Sequence, residues 1–431
     1  MDALRLGDFE IVERVAGARR PLKASYPVHY GTFCQVGEGP YRCRFLPSGA
    51  VKYLWGHGER HWPHPGEWLK HTLGDDWIYY SAGDYEGLFS LYGEHQLPCP
   101  AYPSNSPLDP RPFADERVRA ALEWFASLPE RLGRLAGRAP PRLAATLEAI
   151  SRHTPAGLAR RARRLHDICG GRLAVLPPEA RHLDYDVVPL TVADGCLYGC
   201  RFCCLESPGR LRPRSPDDVA DQLERLRRLL GADLPEYAGV FAGNHDGLAA
   251  GWELVVQAAR RAWEVLELAG SHLAPRLLVL FASADALLSV SEEGWRQLAA
   301  LPFQVHVNIG LESAHPEILE RLGKPLTPAR VERALARLLE INQRFVNLEI
   351  SANFVLPPEP HLLRLQEQSL VETLRRLCPR RRSRGAVYLS PLLPPQGPPA
   401  RGFGRRRLID SVGRLKLRCP LPVFLYLIQG L

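Results

Sequence analysis

The sequence contains no uninterrupted apolar run of the roughly eighteen residues that a membrane-spanning helix needs, so no bilayer span is expected. Its opening, "MDALRLGDFEIVERV", lacks the basic start and apolar block of a secretion signal. The chain is therefore expected to stay in the cytoplasm, where thiols are kept reduced. Ten cysteines in 431 residues are too few for a disulfide scaffold. Lysine is nearly missing: Lys23, Lys52, Lys70, Lys324 and Lys416 are all there are, and arginine carries the rest of a formal net charge of +8. With heavy Pro, Ala and Leu usage, that balance reads as coding bias more than as a polyanion-binding surface, so nucleic acid is not the favoured partner. An apolar content of 45% and a charged content of 24% are those of a globular protein, and the length allows two or three domains.

Three textures follow one another along the chain. Residues 1–110 are rich in Tyr, Trp, Gly and His. Within them "FCQVGEGPYRCRFLPSGAVKYLWG" alternates and turns like two or three short antiparallel strands. Residues 111–185 hold helical patterns in "DERVRAALEWFASLPERLGRL", "PRLAATLEAISRH" and "GLARRARRLHDI", after which "LPPEARHLDYD" reads as a linker. From residue 186 to 431, apolar β-rich runs alternate with helices. The strand candidates are "DVVPLTVA", "EYAGVFAG", "RLLVLFAS", "FQVHVNIGL", "VNLEISANFVL" and "GAVYLSPL". Two intervening helices carry start signals, Ser215-Pro216 and Thr327-Pro328. Six continuous apolar strands alternating with helices predict a parallel sheet with right-handed crossovers. The final "CPLPVFLYLIQGL" is expected to be a closing helix on that sheet.

Against the general scarcity of cysteine, four fall in "ADGCLYGCRFCC". Cys196, Cys200 and Cys203 are spaced C-x3-C-x2-C, which lets one loop wrap three thiolates around one metal centre. A four-iron cube takes four ligands, so three would leave one iron free for something else. Zinc prefers C-x2-C pairs and a closed four-coordinate shell, and no second pair stands at suitable spacing. Packing alone is a weak reason to crowd thiols. Cys204, next to a ligand, is assigned to packing.

This loop, after the strand "VVPLTVA" and with Phe202 before the third cysteine, resembles the signature of the radical SAM superfamily. Downstream, "VNIGLESAHPEILERLGKP" is similar to the fourth-strand segment of the Elongator-like and coproporphyrinogen-oxidase-like branches. The resemblance covers roughly residues 186–420 and says nothing about residues 1–180. It implies an α/β fold, a partial (β/α)6 TIM-like barrel, here preceded by an α+β N-terminal domain. It implies a [4Fe-4S] cluster on Cys196, Cys200 and Cys203, with S-adenosyl-L-methionine on the fourth iron. Reductive cleavage would give a 5′-deoxyadenosyl radical that abstracts hydrogen from a substrate, driven by an electron donor such as flavodoxin or ferredoxin.

Sites of this fold gather at strand C-termini. In "AGNHDG" Gly243 matches the family pattern for the methionine amino group; Asn244 and His245 depart from it, and Asn244, His245 or Asp246 would have to supply the acceptor. Glu312 and Ser313 match the position that contacts the ribose hydroxyls. Asn353 is a polar residue in an apolar strand, facing adenosine or substrate, and Ser283 and Asp285 are placed in the pocket. Lys324 is read as a surface lysine.

Other groupings carry less. His57, His61 and His64 have no ligand spacing, and Cys34, Cys43, Cys99 and Cys169 are too scattered for an auxiliary cluster. No D-x-H-x-x-G stretch points to cobalamin. The aromatic run from Glu67 to Gly93 suits either a substrate groove or a small β core. Arg160–Arg164 and Arg380–Arg384 are read as solvated faces. Two other functions remain: RNA modification, from the net charge and the "GLES" segment, and a non-catalytic iron–sulfur carrier or sensor, from the altered "AGNHDG".

Overall fold

The structure is a computed structural model that describes residues 3–19, 29–80, 112–172, 175–203, 210–378, 384–392 and 403–426. Cys99, Cys204, residues 81–93 of the aromatic run and residues 380–383 lie outside the described residues.

The N-terminal part is one antiparallel sheet whose strands follow chain order: β1 (Leu4–Leu6), β2 (Phe9–Ala16), β3 (Thr32–Glu38), β4 (Tyr41–Phe45), β5 (Val51–Gly56), β6 (Trp68–His71) and β7 (Trp77–Tyr80). Its register explains the alternating sequence. Ile11, Val36, Cys43, Leu54, Leu69 and Tyr79 form a single transverse row across six strands. That row is buried against Leu128, Leu132, Leu143 and Leu147, on the helices Glu116–Leu135 and Pro141–Ser151. Each fully buried Leu or Ile there contributes about 2 kcal/mol. The neighbouring row, Gln35, Arg44, Tyr53, Lys70 and Ile78, faces the other way.

The second sheet is parallel throughout, in the order β8 (Val188–Leu190), β11 (Gly239–Ala242), β12 (Leu277–Ala282), β13 (Gln304–Glu312), β14 (Leu348–Leu356), β15 (Val387–Pro391) and β16 (Val423–Leu425). A small ribbon, β9 (Ala193–Asp194) with β10 (Arg212–Pro213), stands beside it. The first six strands lie in the six predicted runs, and helices fill the crossovers as a partial TIM barrel requires. Ser215 and Asp218 form a reciprocal capping box, and Thr327 accepts from Arg330 N. The predicted closing helix is instead the seventh strand. Pro420 and Pro422 oppose helical geometry before them, leaving "VFL" extended beside β15. The helix Phe403–Arg418 delivers it. Among the described residues no helix is long and apolar enough to cross a membrane.

The stretch expected to be a linker is a buried plug. Residues Pro178–Leu183 make a short 3-10 turn inside the barrel. Glu179 Oε1 accepts from Ser351 Oγ and from Asn308 Nδ2 at 3.2 Å. Glu179 Oε2 and Asn308 Oδ1 have no partner among the described residues. Arg181 lies over the rings of Tyr388 and Phe424, 5.2 Å from each centroid. Burial pushes the Glu179 carboxyl above its usual range. A raised carboxyl contributes stability that is complete below about pH 4.3 and declines as pH rises, because the unfolded chain ionises first. Relative to wild type, Glu179→Gln is therefore expected to gain stability as pH rises above about 4.3, with a slope of at most about 1.4 kcal/mol per pH unit. Urea unfolding at several pH values checks this; parallel curves for the two proteins would refute it.

The N-terminal part docks on the barrel's base. Lys70 Nζ lies 2.9 Å from Asp184 and 3.1 Å from Asp186, and Lys52 pairs with Asp186, just ahead of β8. Ahead of β11, Asp233 accepts from Ser48 N at 2.8 Å and from Arg161 at 2.7 Å, while Glu236 accepts from Thr32 N at 2.9 Å. Ahead of β12, Ala274 N donates to Arg19 O at 2.9 Å. Every one of these contacts is at a strand's N-terminal end, opposite the end where the site lies. Arg161 thus departs from the solvated reading of its basic stretch, although Arg160, Arg163 and Arg164 are exposed. Arg384 also departs from it, donating to the carbonyls of Asn342, Phe345 and Val346.

Candidate functional site

β8 leads through β9 to Gly195, whose φ of +80° turns the chain into the cysteine loop. An ion pair of 2.8 Å between Arg214 and Asp194 pins the ribbon that supports it. Cys196 and Cys200 are half-buried and Cys203 is exposed. All three line one cavity of about 310 Å³ at the C-terminal mouth of the barrel. Burial pushes the Cys196 thiol up, against the pull of Tyr198 N, which donates to its Sγ at 3.4 Å. Burial likewise pushes Cys200 to about 11; the Lys324 ammonium opposes this, and Glu312 and the other two thiols reinforce it.

The strand ends supply the remaining walls. Asp246, after β11, lines the cavity; its Oδ1 accepts from Ser283 N at 3.0 Å, while its Oδ2 is buried without a partner among the described residues. At the end of β13 a register irregularity against β14 places Glu312 at φ +68°, a left-handed value rare for a residue with a side chain. That bend turns its carboxylate into the cavity, 3.3 Å from Lys324 Nζ, with both side chains buried. Gly310 makes the pair possible: a Cβ there would stand 2.5 Å from Glu312 Oε1 and 3.2 Å from Lys324 Nζ. Asn353 lines the wall from β14, its Oδ1 also without a partner among the described residues. Phe202 lines the mouth and packs on a small cluster containing Ile318, Leu322, Val355 and Leu362.

Several sequence expectations shift. Lys324 is buried at the cavity wall, because the turn at Gly323 (φ +63°) after the helix Pro316–Leu322 folds it inward. Ser313 is not among the lining residues; its hydroxyl donates to Gln366 Oε1 at 2.6 Å and anchors the helix Pro360–Leu377. Gly243 (φ +97°) holds the turn after β11, its N donating to Leu190 O at 2.8 Å, and it also lies off the cavity. Asn244 is off the cavity as well, with a buried Oδ1. Ser283 lines the wall and caps the following helix, while Asp285 stands behind it. Tyr198, Ser390 and Tyr426 line the cavity and were not anticipated. Tyr198 was detectable as the one aromatic between the first two cysteines.

No three His, Cys, Asp or Glu among the described residues converge tightly enough to hold a single metal ion, which includes the exposed His57, His61 and His64. Thiolates that each take a different iron of a cluster stand farther apart than the ligands of one ion. Three thiols on one hollow, beside an unpartnered buried carboxylate oxygen, suit a cluster with a small cationic ligand.

The family description that matches the chain is the Radical SAM superfamily, over residues 190–358. No curated protein matches the chain. Among solved structures, the cobalamin-dependent S-adenosylmethionine radical enzyme OxsB with aqua-cobalamin bound is similar at 16% identity and a TM-score of 0.33, covering 55% of this chain and 32% of that one. A radical SAM methyltransferase from Sphaerobacter thermophilus is similar at 16% identity and a TM-score of 0.37, covering 56% of this chain and 65% of that one. Streptococcus suis SuiB bound to S-adenosylmethionine is similar at 13% identity and a TM-score of 0.35, covering 72% of this chain and 63% of that one. Likenesses at these scores establish nothing alone, and the chain spans less than two thirds of each of these proteins. The match over residues 190–358 begins at the last residue of β8 and holds the cysteine loop and four of the parallel strands that follow, so this part of the chain is similar to the radical SAM superfamily.

Proposed function

We propose that this protein is a radical SAM enzyme whose Cys196, Cys200 and Cys203 hold a [4Fe-4S] cluster beside a bound S-adenosyl-L-methionine. With both bound, the cofactors supply one-electron cleavage of the sulfonium and a 5′-deoxyadenosyl radical for hydrogen abstraction. The observation that carries this reading is the convergence of the three thiols with Glu312, Lys324 and Asp246 on one hollow. Glu312 offers two acceptor oxygens to a diol. Lys324 offers a buried cation to a carboxylate, and Asp246 Oδ2 offers the acceptor that an ammonium needs. Phe202, Phe281 and Val355 surround these groups with apolar surface that excludes water. Cys203 is exposed at the rim, and as a cluster ligand it would be within reach of an electron donor such as flavodoxin or ferredoxin.

Anaerobic reconstitution with iron and sulfide tests the reading. The expected result is visible thiolate-to-iron absorption and dithionite-dependent 5′-deoxyadenosine; a protein that binds the cluster but not S-adenosyl-L-methionine would be a carrier instead. Gly310→Ala is expected to weaken S-adenosyl-L-methionine binding about tenfold, ~1.4 kcal/mol. The new methyl displaces only flexible side-chain ends, so stability should change by less than about 1 kcal/mol. Calorimetry of the reconstituted variant checks this; unchanged affinity would remove the Glu312–Lys324 pair from the binding site.

A further inference from the structure

Tyr198 stands between two cluster thiols, yet its side chain reaches out of the loop. Its hydroxyl donates to Asp285 Oδ2 at 2.6 Å and accepts from Asp285 N at 3.2 Å. Asp285 is held in turn by Arg330, whose Nε and Nη2 donate to Oδ1 at 2.8 and 2.5 Å. Asp285 opens the short helix Ala284–Ser289 after β12, and Arg330 lies in the first turn of the helix Pro328–Arg344 after β13. The chain Arg330–Asp285–Tyr198 therefore ties the cysteine loop to two barrel crossovers. The face of the Tyr198 ring carries Lys324 Nζ at 5.0 Å from its centroid.

Lys324 needs this support. It is 9% exposed, and Glu312 is its ion-pair partner at 3.3 Å. A single carboxylate at that distance does not fix an ammonium carried on four methylenes. The ring confines it from a second direction and stabilises its charge where water is scarce. The two-way hydrogen bond with Asp285 in turn fixes the ring plane.

We propose that Tyr198, braced by Asp285 and Arg330, is a positioning residue that holds the Lys324 ammonium against the cavity. Its role in cofactor binding rests on the reading given under the proposed function; the brace itself does not. Two consequences separate it from ordinary packing. Tyr198 and Lys324 must be energetically coupled, and Phe at 198 must rescue what Leu loses, because Phe keeps the ring face.

A double-mutant cycle tests this in two states of the full-length chain. In the metal-free protein, urea unfolding of Tyr198→Leu, Lys324→Gln and their combination is expected to be non-additive, the second substitution having little effect after the first. In the reconstituted protein, iron content is expected to stay at the wild-type level in all variants. Tyr198→Leu should weaken S-adenosyl-L-methionine binding about tenfold, the double variant no further, and Tyr198→Phe by less than about threefold. Strict additivity in urea, or Leu and Phe variants that bind equally, would overturn the positioning of Lys324 by the Tyr198 ring. If wild-type protein takes up no cluster or ligand, the proposed function fails, and the unfolding cycle still decides that positioning.

Discussion

Cys200→Ala is expected to abolish both cluster absorption and 5′-deoxyadenosine formation while leaving the fold intact. Cys200 is the middle thiol of the loop and lines the same cavity as Lys324 and Glu312. Two thiolates cannot replace three in holding a cube that already lacks a fourth protein ligand. The stability cost should stay below about 1 kcal/mol, since a half-buried thiol in a loop contributes little packing. Cys169→Ala is the matching control. That thiol is buried in the barrel's core cluster and does not line the cavity, and its loss should leave iron content and product unchanged. Iron quantification, visible absorption and product chromatography decide the outcome. A Cys200→Ala protein that retains its cluster and its product would remove the cysteine loop from the chemistry.

Lys70→Met is expected to be the most damaging substitution for stability, at roughly 3–5 kcal/mol. Lys70 and Lys52 face Asp184 and Asp186 in a buried group of two cations and two anions, with side-chain exposures of 2%, 7%, 9% and 9%. Burial alone would lower the Lys70 ammonium, but the two carboxylates outweigh it and hold the group charged. For Lys52 burial prevails and the shift is downward. Lys70 is the stronger anchor by its contacts, since it reaches both carboxylates and the Asp184 carbonyl while Lys52 pairs with Asp186. Removing it leaves two carboxylates facing one ammonium in a dry place. Lys70→Met combined with Asp184→Asn restores neutrality and should be less destabilised than the single variant, a non-additivity that urea unfolding measures directly. Equal or greater damage in the double variant would mean that packing of the lysine stem, not charge balance, dominates.

Sequence reading reached the cysteine loop and six barrel strands because both have local signatures, thiol spacing in one case and apolar runs of strand length in the other. It missed β16 because the six-residue apolar stretch "VFLYLI" has no period of its own; the prolines before it were the usable signal. The pair Glu312–Ser313 shows a finer limit. The φ of +68° at Glu312 decides which of two adjacent polar residues enters the cavity, and nothing in "GLES" encodes a left-handed residue. Lys324 was assigned to the surface because its burial depends on a turn that only the folded barrel creates. The plug at Pro178–Leu183 looked like a linker because its proline, glutamate and arginine find partners such as Ser351 and Tyr388 more than 170 residues away in sequence. The docking of the N-terminal sheet escaped for the same reason, since Lys52 and Asp186 are 134 positions apart.

That docking makes the two halves one indivisible object. A shortened chain starting at β8 would keep every thiol and every polar group of the mouth. Its underside, however, would present Asp233 and Glu236 stripped of Ser48, Arg161 and Thr32, and the anions that now precede β8 would be gone together with their lysines. Minimal versions of the catalytic module must therefore carry the β-sheet below it as a foundation, even though that sheet contributes no described residue to the chamber where chemistry is proposed to occur.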